Sequence, residues 1–99
     1  MKLPQECHSI EELRQNIDEI DHAIISLIGK RLSFIQEIIK YKNSIEEVYA
    51  KDRYLAVIGE RRKFAAGYHL NPDVIESIIR ILMDYSIKEQ LELLKNKHK

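Results

Sequence analysis

One stretch decides the fold of this chain: residues 9–43 read SIEELRQNIDEIDHAIISLIGKRLSFIQEIIKYKN, with one glycine and no proline. Apolar side chains recur in it at alternating steps of three and four residues, the spacing that places them along one face of a helix. They are Ile10, Leu13, Ile17, Ile20, Ile24 and Leu27. The spacing predicts a single helix of roughly 34 residues, about 50 Å long at a rise of about 1.5 Å per residue.

A helix of that length is longer than a compact domain of 99 residues is wide, since the radius of gyration of such a domain is about 13 Å. We therefore expect it to pack within a larger assembly, and we predict a homodimer. The helix has a clear start, because Ser9 and Glu12 have the spacing of a capping box, in which each side chain accepts from the backbone N–H of the other residue.

The rest of the chain predicts two more helices. A short polar connection at 44–50 leads to a second helix at 51–66, with Gly67 as the expected left-handed residue that closes it. Asn71-Pro72 is typical of a helix start and predicts a third helix at 72–95. Its apolar residues expected to face inward are Val74, Ile75, Ile78, Ile79, Leu82 and Tyr85. No segment alternates with a period of two, so the predicted fold class is all-α, a single domain over 1–99 with a long first helix.

Composition narrows the function classes. Lysine and arginine number 16 and aspartate and glutamate 16, and this balance gives no general attraction to nucleic acid or to an anionic membrane. The one basic run, KNKHK at 95–99, is expected to be a frayed helix end.

A lone cysteine, Cys7, favours a reducing compartment, and the sequence has neither a signal peptide nor a membrane span. We expect a soluble, cytoplasmic protein. The histidines are scattered and no two of them have the spacing of metal ligands, so we expect no metal site.

Two cations interrupt the apolar stripe of the first helix. If the seven-residue spacing of the apolar residues is continued, Arg31 occupies a position where a leucine is expected. Lys42 lies three turns later, on nearly the same side of the helix. Their long stems could lie on apolar surface while the charges reach water. Alternatively the charges face an anion, because a buried unpaired charge is costly. We interpret the helix as the wall of an anion-binding pocket, and the pattern leaves open whether the anion is a carboxylate of another helix or of a ligand.

Arg14 and Gln90 are further candidates. Arg14 precedes Arg31 by about 25 Å along the same helix, so the two cannot hold one small molecule within one chain. In an antiparallel dimer Arg14 could approach Arg31 of the other chain; the alternative is a surface pair with Asp18 at i+4. Gln90 could form the neutral wall of a polar pocket, or be an interface residue. Since the sequence has no nucleophile motif, an enzyme of this kind would hold an anion and stabilise charge.

Six short motifs follow one another over nearly the whole chain. They are LRQNIDEID at 13–21, GKRL at 29–32, YK at 41–42, DR at 52–53, ER at 60–61 and IKEQ at 87–90. Together they resemble the all-helical, type II (AroQ-class) chorismate mutases, and most closely their relatives the isochorismate–pyruvate lyases of salicylate biosynthesis. The resemblance implies an intertwined helical homodimer that needs no cofactor or metal, with two equivalent sites that each use residues from both chains.

The resemblance also implies roles for the candidates. Arg31 and the partner subunit's Arg14 would clamp the two carboxylates of isochorismate or chorismate, because guanidinium forks match carboxylates. Lys42 and Gln90 would face the ether oxygen whose bond to the ring breaks. That oxygen gains negative charge in the transition state, so donors aimed at it would be catalytic. The reaction would be pericyclic and would require neither a base nor a nucleophile.

The resemblance leaves two reactions to distinguish. A mutase rearranges chorismate to prephenate, whereas the lyase converts isochorismate to salicylate and pyruvate. The short connection at 44–50, the MKLPxxC-like start and Arg53, which matches a lid arginine, resemble the lyase. Lys51 and Asp52 keep charges like those of the mutase, and Asp52 and Arg53 are candidates for substrate binding. We favour the lyase with side mutase activity. The alternatives are a chorismate mutase and a non-catalytic helical dimer that binds an acid.

Overall fold

The structure is a computed structural model that describes residues 2–97. Every regular element in this range is helical, so the predicted all-α class with a long first helix is confirmed. The α-helices are α1 (Ile10–Ile38), α2 (Ile45–Tyr49), α3 (Lys51–Gly67) and α4 (Pro72–Lys97), and 3-10 turns occupy Pro4–Glu6 and Ile39–Tyr41. No helix in the described range is long and apolar enough to cross a membrane.

The first helix begins where the sequence predicts and loses its α-helical bonding earlier. Ser9 Oγ accepts from the backbone N–H of Glu12 at 3.1 Å, as an N-cap does. The return bond differs, since Glu12 Oε2 accepts from the N–H of His8 at 2.6 Å instead of that of Ser9. At the other end α1 stops at Ile38 and tightens into the 3-10 turn, after which Lys42 has extended backbone. The end of α1 therefore places Lys42 on a turn, not on a helix.

The connection at 44–50, which the sequence predicts only as short and polar, has a helix and a buried apolar residue. It contains α2, whose N-cap Ser44 accepts from the N–H of Glu47 at 3.1 Å. Ala50, at φ 41°, separates α2 from α3. Val48 on α2 is only 2% exposed, so this connection is anchored in the core.

The closure of α3 corrects a further expectation. Gly67 is the last helical residue and is not left-handed; the left-handed residue is His69, at φ 60°. The N–H groups of His69 and Leu70 complete the two hydrogen bonds of a Schellman motif. The predicted start of α4 is confirmed, because Asn71 Oδ1 accepts from the N–H of Asp73 at 2.9 Å.

The chain has two compact units, Met1–Phe34 and Ile35–Lys99. In the second unit α3 and α2 pack against α4. Ile39, Val48 and Leu94 form its buried cluster, which joins the turn after α1, helix α2 and the end of α4. Ile87, Leu91 and Leu93 pack against this cluster. This core is the framework on which Lys42 and the end of α4 are held.

The predicted apolar stripe of α1 is uncovered in the single chain. No residue of α1 is buried, and the six stripe side chains are between 39% and 61% exposed. On α4, half of the residues predicted to face inward are also exposed. They are Val74, Ile78 and Tyr85, whereas Ile75, Ile79 and Leu82 are half-buried. These faces have the apolar character of a core without being covered by their own chain.

The end of α4 extends to Lys97, two residues beyond the predicted boundary. Lys97, within the basic run expected to fray, instead binds the turn after α1 through its side chain. His98 and Lys99, which complete that run, lie outside the described residues.

Candidate functional site

The structure brings two of the predicted site residues together. Lys42 Nζ donates a hydrogen bond to Gln90 Oε1 at 3.0 Å. Gln90 lies on α4 and is 4% exposed, whereas Lys42 follows the 3-10 turn and is half-buried. A glutamine whose carbonyl oxygen accepts from an ammonium has its NH₂ group as the remaining donor. The contact therefore joins an ammonium to an amide, and each of the two groups has further N–H donors.

The surroundings of Lys42 do not favour its charge. Partial burial lowers the pKa of the Lys42 ammonium below its ordinary value, and the carboxylate of Glu47 opposes this shift. Desolvation lowers the pKa because it removes the water that stabilises the cation. A negative charge that develops next to Lys42 would supply the missing stabilisation, so this ammonium is suited to bind an anionic atom.

Ser86 is a buried polar residue of this region that is not among the predicted site residues. It is 4% exposed, lies one turn before Gln90 on α4, and its Oγ donates to the carbonyl oxygen of Leu82 at 2.8 Å. Ser86 and Gln90 are the buried polar residues of the described chain. Their i, i+4 spacing within an apolar helix face was the available signal, since two polar residues that align there are either partnered or functional.

The arginine candidates lie on α1, in the first unit. Arg14 is exposed, and within residues 2–97 it forms no ion pair with Asp18, so the alternative pairing is not made. Arg31 is half-buried. Asp52 and Arg53 are exposed in the first turn of α3, in the second unit. The structure thus places Lys42 with Gln90, and the roles of all six residues stay predictions.

These positions fall within a stretch that matches a known family. The model of chorismate mutase type II matches residues 13–91. The chain belongs to the chorismate mutase type II family. The resemblance drawn from the six motifs is therefore confirmed at the level of the family. The matched stretch contains all six candidate residues and extends over parts of both units.

Individual relatives include proteins of both expected kinds. The chain is 27% identical over 92 residues to isochorismate pyruvate lyase of Pseudomonas aeruginosa, which covers 93% of this chain and 91% of that protein. It is 28% identical over 94 residues to chorismate mutase of Methanocaldococcus jannaschii, or 91% of this chain and 95% of that protein. It is also 33% identical over 72 residues to the T-protein of Enterobacter agglomerans, or 72% of this chain and 19% of that protein. The identities to the lyase and the mutase are similar, so they do not distinguish between the two reactions.

Proposed function

We propose that this protein is a cytoplasmic isochorismate pyruvate lyase, which converts isochorismate to salicylate and pyruvate without a cofactor and has side chorismate mutase activity. The observation that carries the proposal is the 3.0 Å contact between Lys42 Nζ and Gln90 Oε1. It brings together two motif residues that are far apart in the sequence, and the side chain of each carries N–H donors. In the pericyclic reaction the ether bond to the ring breaks, hydrogen moves from the ring to the leaving side chain, and no base or nucleophile takes part.

The pair supports this reaction through the charge that the ether oxygen acquires. As the carbon–oxygen bond lengthens, electron density moves to the oxygen, and the Lys42 ammonium and the Gln90 amide stabilise it. Partial burial already disfavours the lysine charge. The ammonium therefore gains most when the oxygen is most negative, which is in the transition state and not in the bound substrate.

Substrate binding requires cations for two carboxylates. We assign these to Arg31 and to the partner subunit's Arg14, because a guanidinium binds a carboxylate through two parallel hydrogen bonds. Asp52 and Arg53 lie at the exposed start of α3. We assign both to binding the polar groups of the substrate, Arg53 as the lid arginine that the lyase resemblance implies. The separation of about 25 Å between Arg14 and Arg31 along α1 is the reason that two chains are required for one site.

The uncovered stripe of α1 supports a homodimer. Its six apolar side chains are between 39% and 61% exposed in the single chain. Covering apolar surface contributes about 25 cal/mol per Å², so a stripe that runs along most of a 29-residue helix can offset the cost of association. A two-fold dimer covers the same stripe on both copies with one interface, in which Arg14 reaches the site of the other chain.

The choice of lyase over mutase rests on the connection between α1 and α3 and on the start of the chain. The connection is short, contains the 3-10 turn Ile39–Tyr41 and α2, and leads directly into Lys51, Asp52 and Arg53. The relative named as a lyase matches 93% of the chain. Chorismate mutase is the second candidate, because the relative named as a mutase matches 91% of the chain and Lys51 and Asp52 keep mutase-like charges.

A product assay tests the proposal. Purified protein is incubated with isochorismate and, separately, with chorismate, and the Lys42→Gln variant is run in parallel to measure conversion that does not depend on the site. We expect equal amounts of salicylate and pyruvate from isochorismate, and slower formation of prephenate from chorismate. Prephenate without salicylate would make the protein a mutase. Neither product above the level of a sample without protein would favour the helical dimer that only binds an acid.

A further inference from the structure

Lys97, in the last turn of α4, makes contacts that the proposed chemistry does not yet use. Its Nζ lies 3.1 Å from the carbonyl oxygen of Ile39, 3.4 Å from that of Lys40 and 3.0 Å from that of Lys42. It also lies 3.3 Å from Asn43 Oδ1. All four oxygens belong to residues 39–43, that is, to the 3-10 turn after α1 and the two residues that follow it. One ammonium therefore binds this whole segment, which includes Lys42.

The turn requires such a partner because of how α1 ends. The last carbonyl groups of a helix have no N–H partner within the helix, and they form the negative end of its dipole. Here α1 stops at Ile38 and the chain continues as the 3-10 turn Ile39–Tyr41. The three N–H groups of Lys97 donate to these oxygens, with one hydrogen shared. Lys97 therefore caps, from a different helix, the 3-10 turn that follows α1.

Gln90 and Lys97 hold the same segment from the same helix. They are two turns apart on α4, about 10 Å along its axis and on one face. Gln90 binds the side chain of Lys42, and Lys97 binds its carbonyl oxygen. The buried cluster of Ile39, Val48 and Leu94 packs in the same region. The backbone and the side chain of Lys42 are therefore fixed by separate contacts to one helix.

We propose that Lys97 is a positioning residue for Lys42: by binding the carbonyl groups of the turn it holds the Lys42 ammonium at the place where the ether oxygen becomes negative. The inference rests on the proposed function. Lys97 contacts the backbone and not the substrate, so it acts through Lys42. Electrostatic stabilisation depends on donors that are already in place when the reaction occurs, and a shift of about 1 Å can reduce a rate about 100-fold.

The chain offers a matched control for this role. Lys97→Met keeps an unbranched apolar stem of similar length and removes the charge and the donors. Lys95→Met makes the same change of charge two residues earlier on α4, where Lys95 is exposed and donates no hydrogen bond within residues 2–97. Lys97→Arg restores both the charge and the donors. A role in net charge or helix propensity alone would affect Lys95→Met and Lys97→Met equally.

We expect Lys97→Met to lower kcat on isochorismate about tenfold and to change KM less than about twofold, because positioning of Lys42 acts on the transition state. Lys95→Met should stay within about twofold of the unchanged protein, and Lys97→Arg should recover most of the loss. A Lys97→Met variant that is folded by circular dichroism and keeps its kcat would overturn the inference. If that variant does not fold, Lys97→Gln, which keeps a donor without the charge, is judged by the same criteria.

A second measurement separates the inference from the proposed function. The side-chain amide signals of Gln90 are followed by NMR and assigned by their loss in Gln90→Leu. Loss of the Lys42 contact in Lys97→Met should shift them, whereas Lys95→Met should leave them in place. If the unchanged protein forms no product, the proposed function fails, and these signals still decide whether Lys97 positions Lys42. Unmoved signals in Lys97→Met would reject the positioning role.

Discussion

The two units of this chain differ in how far their apolar side chains are buried. In Ile35–Lys99, the turn after α1, helix α2 and the end of α4 enclose a core, and Val48 is 2% exposed. In Met1–Phe34, α1 has a regular apolar stripe and not one buried residue. One unit covers its own core, and the other has a core face that its own chain leaves open.

The difference also separates the two halves of the candidate site. The Lys42–Gln90 contact is complete within the second unit, since both residues are held by elements that pack on one core. Arg14 lies on the uncovered helix and is exposed. A second copy of the chain that covers the stripe of α1 would provide both the missing core and the missing cation. In the proposed homodimer, the covering of the apolar stripe in one unit and the completion of the site in the other depend on the same association.

We expect the largest effect from a substitution that places a charge in the apolar stripe of α1. Ile24→Glu places a carboxylate in the proposed interface, where an unpaired charge is costly; Ile24 is 49% exposed in the single chain. We expect the dimer to be lost and activity with it, while helix content remains. His22→Glu, on the opposite side of α1, should keep the dimer. Sedimentation velocity decides the matter, and an Ile24→Glu protein that is still dimeric would place the interface elsewhere.

The next effect concerns the contact within the second unit. Lys42→Gln replaces the ammonium by a neutral donor, and loss of this charge at the ether oxygen should lower kcat about 100-fold. Folding should change little, because Lys42 is half-buried and its pKa is already lowered by burial. Lys40→Gln is the control, since Lys40 pairs with Glu37 on the surface. Steady-state kinetics with isochorismate test this, and full turnover in Lys42→Gln would remove Lys42 from the mechanism.

The smallest effect concerns the core that holds this contact. Val48→Ala removes two methyl groups from a side chain that is 2% exposed, and should lower the free energy of unfolding by about 2 kcal/mol. Ile45→Ala, on the same helix but 58% exposed, should cost less than about 0.5 kcal/mol. Urea denaturation measures both. Equal losses would show that α2 is not anchored through Val48.

The sequence predicted the features that depend on local periodicity and capping. The long first helix, the Ser9 cap and the start of α4 at Asn71 follow from side chains a few residues apart, so a local pattern is sufficient to find them. The family was also accessible, because its motifs include both arginines, Lys42 and Gln90. The roles of these residues stay predictions, since they require a ligand and a second chain.

Features that depend on tertiary packing were not accessible. Val48 becomes a core residue because α2 packs on α4, and a short run between polar residues does not indicate this. His69 and not Gly67 is left-handed because α3 extends to Gly67 before its closing turn. Lys97 belongs to a basic run that appears solvated in the sequence. Its role arises only when the end of α4 meets the carbonyl groups of the turn after α1.

The central claim is that one site uses Arg14 of one chain and Lys42 of the other. Arg14→Ala and Lys42→Gln are each expected to be nearly inactive, and the two proteins are unfolded together, refolded in equal amounts and assayed with isochorismate. Each mixed dimer then has one site with both defects and one intact site, so random pairing should restore about a quarter of the wild-type activity. Activity no greater than the average of the two separate variants, in a mixture shown to contain mixed dimers, would contradict the claim.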